Sequence, residues 1–389
     1  MSAKPASFPN SAVALGGLMV LAGGAAVALG YGSTKYFHGS FLFGAMFWAT
    51  LAFGMFALTL MFHLFRPSWG KPIQRIAEAG GGPVSLAVAF GLLAVCVFVF
   101  PNDLYKMWMK PDMGDSLTVW KLSYLNYPFF VGRFLVYAAS FIGISLLFKN
   151  WLRLEEKTGD KKWSDKRANL AGFSVVWFFL VITFLVTDLV MSIDTHWYST
   201  IWGAWFAVGG ALTAVALCLM ILATQQGKEP FVEEVSKDQI KDLGNLLLMF
   251  TMLWAYFSFS QLLIIWYGNL KEFIPFYLAR LRGNLGALGM ATMIGQFVIP
   301  FLILLWPNVK RNIAILGAVA GMAFFMRAAD MYWIIAPYFK IGLVPDLADL
   351  GCFLFCGGVW SIAFGLSART APLIVDPNPY LQKEVLEHV

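Results

Sequence analysis

Long apolar stretches separated by short polar segments make up most of this chain. Ten of these stretches approach or exceed the roughly 20 residues that a helix needs to cross about 30 Å of hydrocarbon. They lie at approximately 11–31, 41–65, 84–101, 128–148, 170–190, 199–224, 243–265, 285–306, 313–335 and 350–368. The pattern predicts an all-α membrane protein with ten transmembrane helices, called helix 1 to helix 10 in chain order.

The composition agrees with this pattern. Hydrophobic residues make up 59% of the 389 residues and charged residues only 13%, whereas soluble domains have roughly 25% charged residues. The longest segments between the runs, at about 102–127, 149–169 and 225–242, are too short for a second domain. We therefore expect residues 1–389 to form one polytopic membrane domain, with any catalytic domain on another chain.

Basic residues are distributed unevenly between alternate loops. The N-terminus, four alternate loops and the C-terminal tail carry 18 Lys and Arg, whereas the five opposite loops carry 8. Because Lys and Arg are retained on the cytoplasmic side of a membrane, both termini are predicted to be cytoplasmic. We call the end with the basic loops the inner end and the opposite one the outer end. The net charge of +6 fits this bias and contact with anionic lipid, so nucleic acid need not be invoked.

Four charged side chains lie clearly inside the apolar runs: Arg133, Asp188, Arg327 and Asp330. Each costs roughly 2.5–3.5 kcal/mol at a helix centre, so each is expected to face protein or water and to have a partner. The predicted orientation places all four in the outer half of the membrane. They form one layer, which is where we expect function.

The two carboxylates of this layer differ in their neighbours. Arg327 and Asp330 are three residues apart and are expected to pair on helix 9, either as a structural ion pair or as a proton site. Asp188 is either reached by Arg133 or sits neutral, which makes it the better candidate proton carrier. Each Asp closes the fourth helix of a set, which favours two four-helix bundles, helices 2–5 and 6–9, with helices 1 and 10 peripheral.

Further polar residues are candidates for a proton path. Asp194 and His196 follow helix 5 and are expected to link the outer carboxylates to bulk water. At the inner end, His63 and Arg66 close helix 2 and either take up protons or anchor the helix at the head groups. Helix 7 carries a polar stripe that either bonds a neighbouring helix or lines a water path; it comprises Thr251, Trp254, Ser258 and Gln261.

The chain has few residues of the types that bind cofactors. A b-type haem needs paired His ligands at membrane depth, and His63 is the only one of the four histidines inside a run. Cys352 and Cys356 share a helical face, but no His or carboxylate accompanies them in the run, so they are expected to be small buried side chains. We expect no metal, no haem and no catalytic residue in this chain.

Several stretches together resemble one family of membrane subunits. They are 188–203 after helix 5, 266–270 with 280–283 after helix 7, 63–66 with Trp69 and 75–78 after helix 2, and 327–333 in helix 9. This chain resembles the ActF-type subunit of bacterial alternative complex III, a quinol:cytochrome c (or other acceptor) oxidoreductase. Thr195 and Lys271 stand where that family usually has Pro, which alters turn rigidity more than chemistry.

The resemblance implies an NrfD-like fold, similar to polysulfide reductase membrane subunits, in the bacterial inner membrane. It implies as partners a paralogous NrfD-like subunit, an iron–sulfur subunit, multihaem cytochrome c subunits and small membrane subunits. Haem c, iron–sulfur clusters and quinol would be bound by those partners, and no quinone-binding residue is assigned here.

Three functions remain open at this point. The first is an accessory, cofactor-free subunit that assembles the complex and conducts protons, and the second is a subunit that itself binds quinol. The third, a stand-alone transporter, is least favoured because the runs lack paired helices broken by Gly or Pro at the midplane.

The predicted orientation is testable with single cysteine labels. Labels placed in the loop 149–169 are expected to react only from the cytoplasm, and labels at 191–198 only from outside, because the two segments carry seven basic residues and none. Accessibility to a membrane-impermeant maleimide in intact cells and inverted vesicles measures this. The reverse pattern would contradict the outer layer of charges.

Overall fold

The computed structural model describes residues 8–30, 36–228, 235–339 and 345–369. Within these ranges the regular structure is entirely helical, and nine helices are long and apolar enough to cross a membrane. The protein is therefore an all-α, multi-pass membrane protein, as predicted. His388 and the predicted positions of the two termini lie outside the described residues.

The long helices follow the predicted runs, often with extensions at the inner end. We number them α1 to α10: α1 Phe8–Gly30, α2 Phe37–Phe65, α3 Pro83–Phe98, α4 Tyr127–Thr158, α5 Lys162–Leu189, α6 Trp202–Thr224, α7 Lys237–Gly268, α8 Gly283–Leu304, α9 Ile313–Ile335 and α10 Leu347–Ala368. The extension of α7 begins at a capping box, in which Ser236 and Gln239 satisfy each other's backbone N–H. The extension of α4 ends at Gly159, whose φ of 65° lies in the left-handed region.

The third predicted span has a different form. The helix Gln74–Gly80 and α3 are each too short to cross a membrane alone, and together they form one candidate span. The chain bends by 40° between them. At the bend, a Cβ on Gly81 would lie 2.4 Å from the backbone N of Phe56, so only glycine lets this turn approach α2. Pro83 then starts α3 at its first turn, where a missing N–H costs nothing.

The helices pack as two four-helix units. In the first, α2 and α4 each pack against both α3 and α5; in the second, α6 and α8 each pack against both α7 and α9. These are the predicted sets, helices 2–5 and 6–9. We call them the first and the second bundle.

The two bundles meet where α2 crosses α6. A Cβ on Gly54 of α2 would lie 2.0 Å from the carbonyl O of Gly210, and one on Gly210 would lie 2.6 Å from that of Thr50. The two backbones are therefore in direct contact, which is how small residues pack membrane helices. α2 is almost wholly buried as a result.

The prediction that helices 1 and 10 are both peripheral is wrong for helix 10. α1 is largely exposed and lies antiparallel on α10, with Gly16 and Gly23 against the α10 backbone. α10 in turn packs on α2 and α3 and buries Cys352, Cys356 and Trp360. Small residues on two faces of α10 allow this close approach, because Cys352 touches Gly44 of α2 while Gly358 of α10 touches Gly16.

The α2–α6 contact leads to a stability prediction. Gly54→Ala is expected to lower the melting temperature of the detergent-solubilised protein, at a cost of about 1–3 kcal/mol or more, because the new methyl group meets backbone atoms that cannot rotate away. Gly17→Ala on α1 is the matched control, since a Cβ there meets no atom within 4 Å. Equal melting temperatures for the two variants would refute the close crossing.

Candidate functional site

The first buried ion pair of the outer layer joins α4 to α5. Arg133 donates from Nε and Nη2 to the two carboxylate oxygens of Asp188, at 2.8 Å each, and the Tyr137 hydroxyl donates to Asp188 Oδ2 at 2.9 Å. Asp188 is only 2% exposed. Of the two predicted alternatives, the structure therefore shows the one in which Arg133 reaches Asp188.

Aromatic rings also hold the Arg133 guanidinium. Its Cζ lies 3.7 Å from the ring centre of Tyr124 and 4.3 Å from that of Phe129, and Nη1 donates to the Tyr124 carbonyl at 3.0 Å. Asn126 caps α4 by accepting the N–H of Phe129, two turns before Arg133. Such rings attract a cation by about 0.5–2 kcal/mol, so they stabilise the Arg133 guanidinium in addition to the Asp188 carboxylate.

The second buried pair lies on a single helix, as predicted. Arg327 donates to Asp330 one turn further along α9, and Trp254 Nε1 of α7 donates to the same carboxylate at 3.1 Å. Both charged side chains are buried. A Cβ on Gly209 of α6 would lie 2.6 Å from Arg327 Nη2, so this glycine leaves the space that the guanidinium occupies.

The second bundle contains buried polar atoms that have no hydrogen-bond partner among the described residues. They include both amide atoms of the fully buried Gln296, together with Thr251 Oγ1, Ser258 Oγ and Arg327 Nε. The polar stripe of helix 7 is thus divided, because Trp254 bonds Asp330 and Gln261 bonds Ser199, whereas Thr251 and Ser258 bond no described residue. Buried groups of this kind are usually satisfied by internal water.

Gln296 belongs to an irregular part of α8. Residues Met293–Val298 form a π-helical turn that packs against α7 and α9. Pro300 follows, and since proline has no N–H it cannot donate to the carbonyl of Gln296 four residues earlier. Single π-helical turns recur at functional sites, and this one places an amide in the core of the second bundle.

The outer loop after helix 5 forms a separate cluster. His196 Nε2 lies 3.0 Å from Asp115 Oδ2 and its Nδ1 lies 3.9 Å from Asp194 Oδ1. Thr195 is buried and its hydroxyl lies 2.7 Å from that of Thr118. The hydrogen bonds from Thr118 hold the pKa of Asp115 below its ordinary value.

The outer loop follows the first ion pair along the chain, but among the described residues no side chain of the loop bonds the Asp188 carboxylate. Ser192 donates its hydroxyl to the backbone carbonyl of Asp188 at 2.5 Å. In the part of the chain that the structure describes, no hydrogen bond runs from the Asp188 carboxylate to Asp194 or His196. The predicted link to bulk water would therefore need intervening water.

At the inner end, His63 lies beside a glutamate that the sequence analysis did not assign. His63 stacks on Phe148 at 4.9 Å between ring centres, and its Nε2 lies 3.6 Å from Glu78 Oε1. Glu78 also accepts from Arg75 at 2.9 Å. Arg66, which was predicted beside His63, is more exposed and lies 3.4 Å from Asp165 instead.

A small polar cavity adjoins this inner cluster. It has a volume of about 80 Å³, which is enough for several water molecules, since one needs roughly 10–15 Å³ of such space. Its walls include His63, Arg75, Glu78, Ser145 and Lys149. The first bundle thus has a buried ion pair at its outer end and, at its inner end, a cavity that is lined by ionisable side chains and large enough for water.

Further charged residues that the sequence did not mark are buried, among them Asp349 and Arg280. Asp349 accepts the Ser40 hydroxyl at 2.6 Å and the Tyr332 hydroxyl at 2.8 Å; it is the third helical residue of a capping box begun by Asp346, a spacing that would have identified it. Arg280 donates to the carbonyls of Phe276 and Ile334. Burial lowers the pKa of Arg280, and because it lies in a loop by sequence, no apolar run marked it.

Within the described ranges, no three His, Cys, Asp or Glu side chains are grouped as metal ligands would be. All four cysteines are free and buried. No protein-family model matches the chain, and the curated proteins include no match to it. Fold and sites together define a polytopic helical membrane protein with paired charges buried in each of two bundles.

The Arg133–Asp188 pair yields a thermodynamic prediction. Asp188→Asn or Arg133→Gln alone is expected to cost about 3–5 kcal/mol, because each leaves an uncompensated buried charge, whereas the double variant is expected to lose much less than the sum. Thermal unfolding of the purified chain in nanodiscs measures the cycle. Asp165→Asn, which removes an exposed partner, should change stability by only about 0–1 kcal/mol. Additive losses would contradict direct pairing.

Proposed function

We propose that this chain is an accessory, cofactor-free membrane subunit of a quinol:acceptor oxidoreductase of the alternative complex III type. One observation carries the proposal. Each stretch that resembles the ActF-type subunits contributes buried or cavity-lining charged residues to the sites described above. These are Asp188 from 188–203, Arg280 from 280–283, His63, Arg75 and Glu78 from the stretches after helix 2, and Arg327 and Asp330 from 327–333.

In this proposal, electrons remain in the partner subunits. Haem c, iron–sulfur clusters and quinol belong to the cytochrome, iron–sulfur and paralogous NrfD-like subunits, in a bacterial inner membrane. This chain contributes a helical surface for assembly and a route for protons. The NrfD-like fold is supported by the ten predicted helices and by the two four-helix bundles into which α2–α9 pack.

Protons would enter at the inner cavity. His63 Nε2 and Glu78 Oε1 are two ionisable groups 3.6 Å apart in contact with space for water, so a proton can pass between them through an intervening water molecule. At the outer end the receiving groups are Asp188 and Asp330. In the second bundle, internal water at polar groups such as Gln296 and Thr251 would carry a proton toward Asp330.

The surroundings of the two aspartates favour Asp188 as the carrier. When a carboxylate takes up a proton, its arginine becomes an unpaired buried cation, which is costly in a low dielectric. Arg133 retains the faces of Tyr124 and Phe129 in that state. Among the described residues, no aromatic ring faces the Arg327 guanidinium, so none would stabilise it if Asp330 took up a proton. The Arg327–Asp330 pair is therefore better suited to a structural role.

A recess at the outer end supports the second candidate function, quinol binding by this chain itself. It has a volume of about 410 Å³ and lies between α7 and the short helix Ile274–Arg280, with Trp266, Asn269 and Tyr277 in its walls. That volume is within the usual range for small-molecule pockets. The Tyr277 hydroxyl is buried without a partner among the described residues, and burial raises its pKa, so it remains a hydrogen-bond donor.

Charge-balanced double variants separate proton transfer from scaffolding. Arg133→Gln/Asp188→Asn removes the ionisable carboxylate without leaving a buried charge, so the intact complex should assemble with full haem content. We expect fewer protons translocated per electron, or slower turnover, measured by the pH change during quinol oxidation in proteoliposomes. Arg327→Gln/Asp330→Asn tests the second bundle in the same way.

The controls distinguish the candidate functions. Asp188→Glu restores an ionisable group and should recover part of the proton yield. Normal proton stoichiometry and turnover in both double variants would eliminate the proton role and leave a scaffold. A photoreactive quinone that labels Tyr277 or Trp266 in the working complex would instead favour the quinol-binding function.

A further inference from the structure

A long apolar groove runs along the outside of the first bundle at its inner end. Its volume is about 740 Å³. The walls are residues of α3 and α4 with one residue of α10: Pro83, Val84, Ala87, Val88, Gly91, Leu92, Ile142, Leu146, Lys149, Asn150, Arg153 and Val359. Small side chains on successive turns of α3 form its floor.

The length of the groove matches one leaflet of a bilayer. From Pro83 to Leu92 the helix rises about 14 Å, at 1.5 Å per residue. Half of a hydrocarbon core about 30 Å thick is about 15 Å. The apolar part therefore accommodates a lipid tail that ends near the bilayer midplane.

The mouth of the groove is basic. Lys149 and Arg153 are one turn apart on α4, just beyond the apolar run, at the level of the inner head groups. Among the described residues no carboxylate lines the groove, and the two neighbouring glutamates of α4 are engaged elsewhere, Glu155 with Arg167 and Glu156 with Arg75. In the described residues neither Lys149 nor Arg153 has an ion pair of its own.

We propose that this groove binds one anionic glycerophospholipid of the inner leaflet. Lys149 and Arg153 contact its phosphate, Asn150 offers an amide to the glycerol region, and a tail lies along α3 between Val84 and Leu92. Basic pockets between helices on the cytoplasmic side recognise anionic head groups in this way. With no carboxylate at the mouth, a choline or ethanolamine cation has no partner, so anionic lipid is preferred.

The lipid site shares a wall with the inner polar cavity. Pro83 and Lys149 line both the groove and the cavity that contains His63 and Glu78. A phosphate on Lys149 thus lies on the opposite side of that wall from Glu78. The lipid site itself does not rest on the proposed function, because the groove and its basic mouth are independent of any proton path.

Native mass spectrometry of the full-length chain, purified in detergent and depleted of lipid, tests the proposal. Phosphatidylglycerol and phosphatidylcholine with identical acyl chains are the probes. The wild-type chain is expected to bind one phosphatidylglycerol at least about tenfold more tightly than phosphatidylcholine. Lys149→Gln/Arg153→Gln should abolish this preference. Lys228→Gln/Lys237→Gln, which removes two exposed charges at the inner end of the second bundle, should retain it.

A second variant fills the groove and keeps both cations. A Cβ on Gly91 meets no atom within 4 Å, so Gly91→Phe can place its ring in the groove without distorting α3. It should weaken phosphatidylglycerol binding about as much as the charge variant. Gly132→Phe is the matched control, because that helical glycine of α4 is equally unobstructed and lies outside the groove.

Three outcomes would overturn the proposal. The first is equal binding of the two lipids by the wild-type chain, and the second is unchanged phosphatidylglycerol binding in both groove variants. The third is that Gly91→Phe abolishes assembly with partner subunits while lipid binding persists, which would make the groove a protein interface. Loss of the preference in both groove variants, with both controls normal, supports the site.

Discussion

The contact between α2 and α6 is the constraint on which the rest of this structure depends. Gly54 and Gly210 bring two backbones together at the centre of the molecule. Lipid is as apolar as a leucine side chain, so close packing rather than the hydrophobic effect must join the bundles. Two further helices pack directly around this crossing: α10 packs on α2 opposite α1, and Arg327 of α9 occupies the space beside Gly209 of α6.

The low dielectric of the membrane explains why the charges are paired, and local packing explains why the pairs differ. Arg133 and Asp188 join two helices through two hydrogen bonds, with Tyr124 and Phe129 around the guanidinium. Arg327 and Asp330 lie on one helix, which gives the second pair no role in fastening helices except through Trp254. The two bundles are thus alike in architecture but differ at their sites.

At the inner end of the first bundle, the bend before Pro83 lies beside both the apolar groove and the polar cavity. The chain bends by 40° before Pro83, and Pro83 lines both the apolar groove and the polar cavity. Lys149 stands between the two spaces, while Glu78 is held by Arg75 on the cavity side. Gly81 and Gly82 of this turn line the cavity, and Gly81 is in close contact with the α2 backbone.

The sequence by itself determined the membrane class, the approximate spans, the two helix sets and the Arg327–Asp330 pair. These follow from local apolar content, from positions along each run, or from a spacing of three on one helix. The partner of Asp188, the contact of His63 with Glu78, the burial of Asp349 and Arg280, the π-helical turn at Gln296 and the inward position of α10 were decided only by tertiary structure. The physical reason is that a membrane helix is apolar on its lipid face as well as its protein face, so hydrophobicity shows that a segment is inserted but not which side chains it meets.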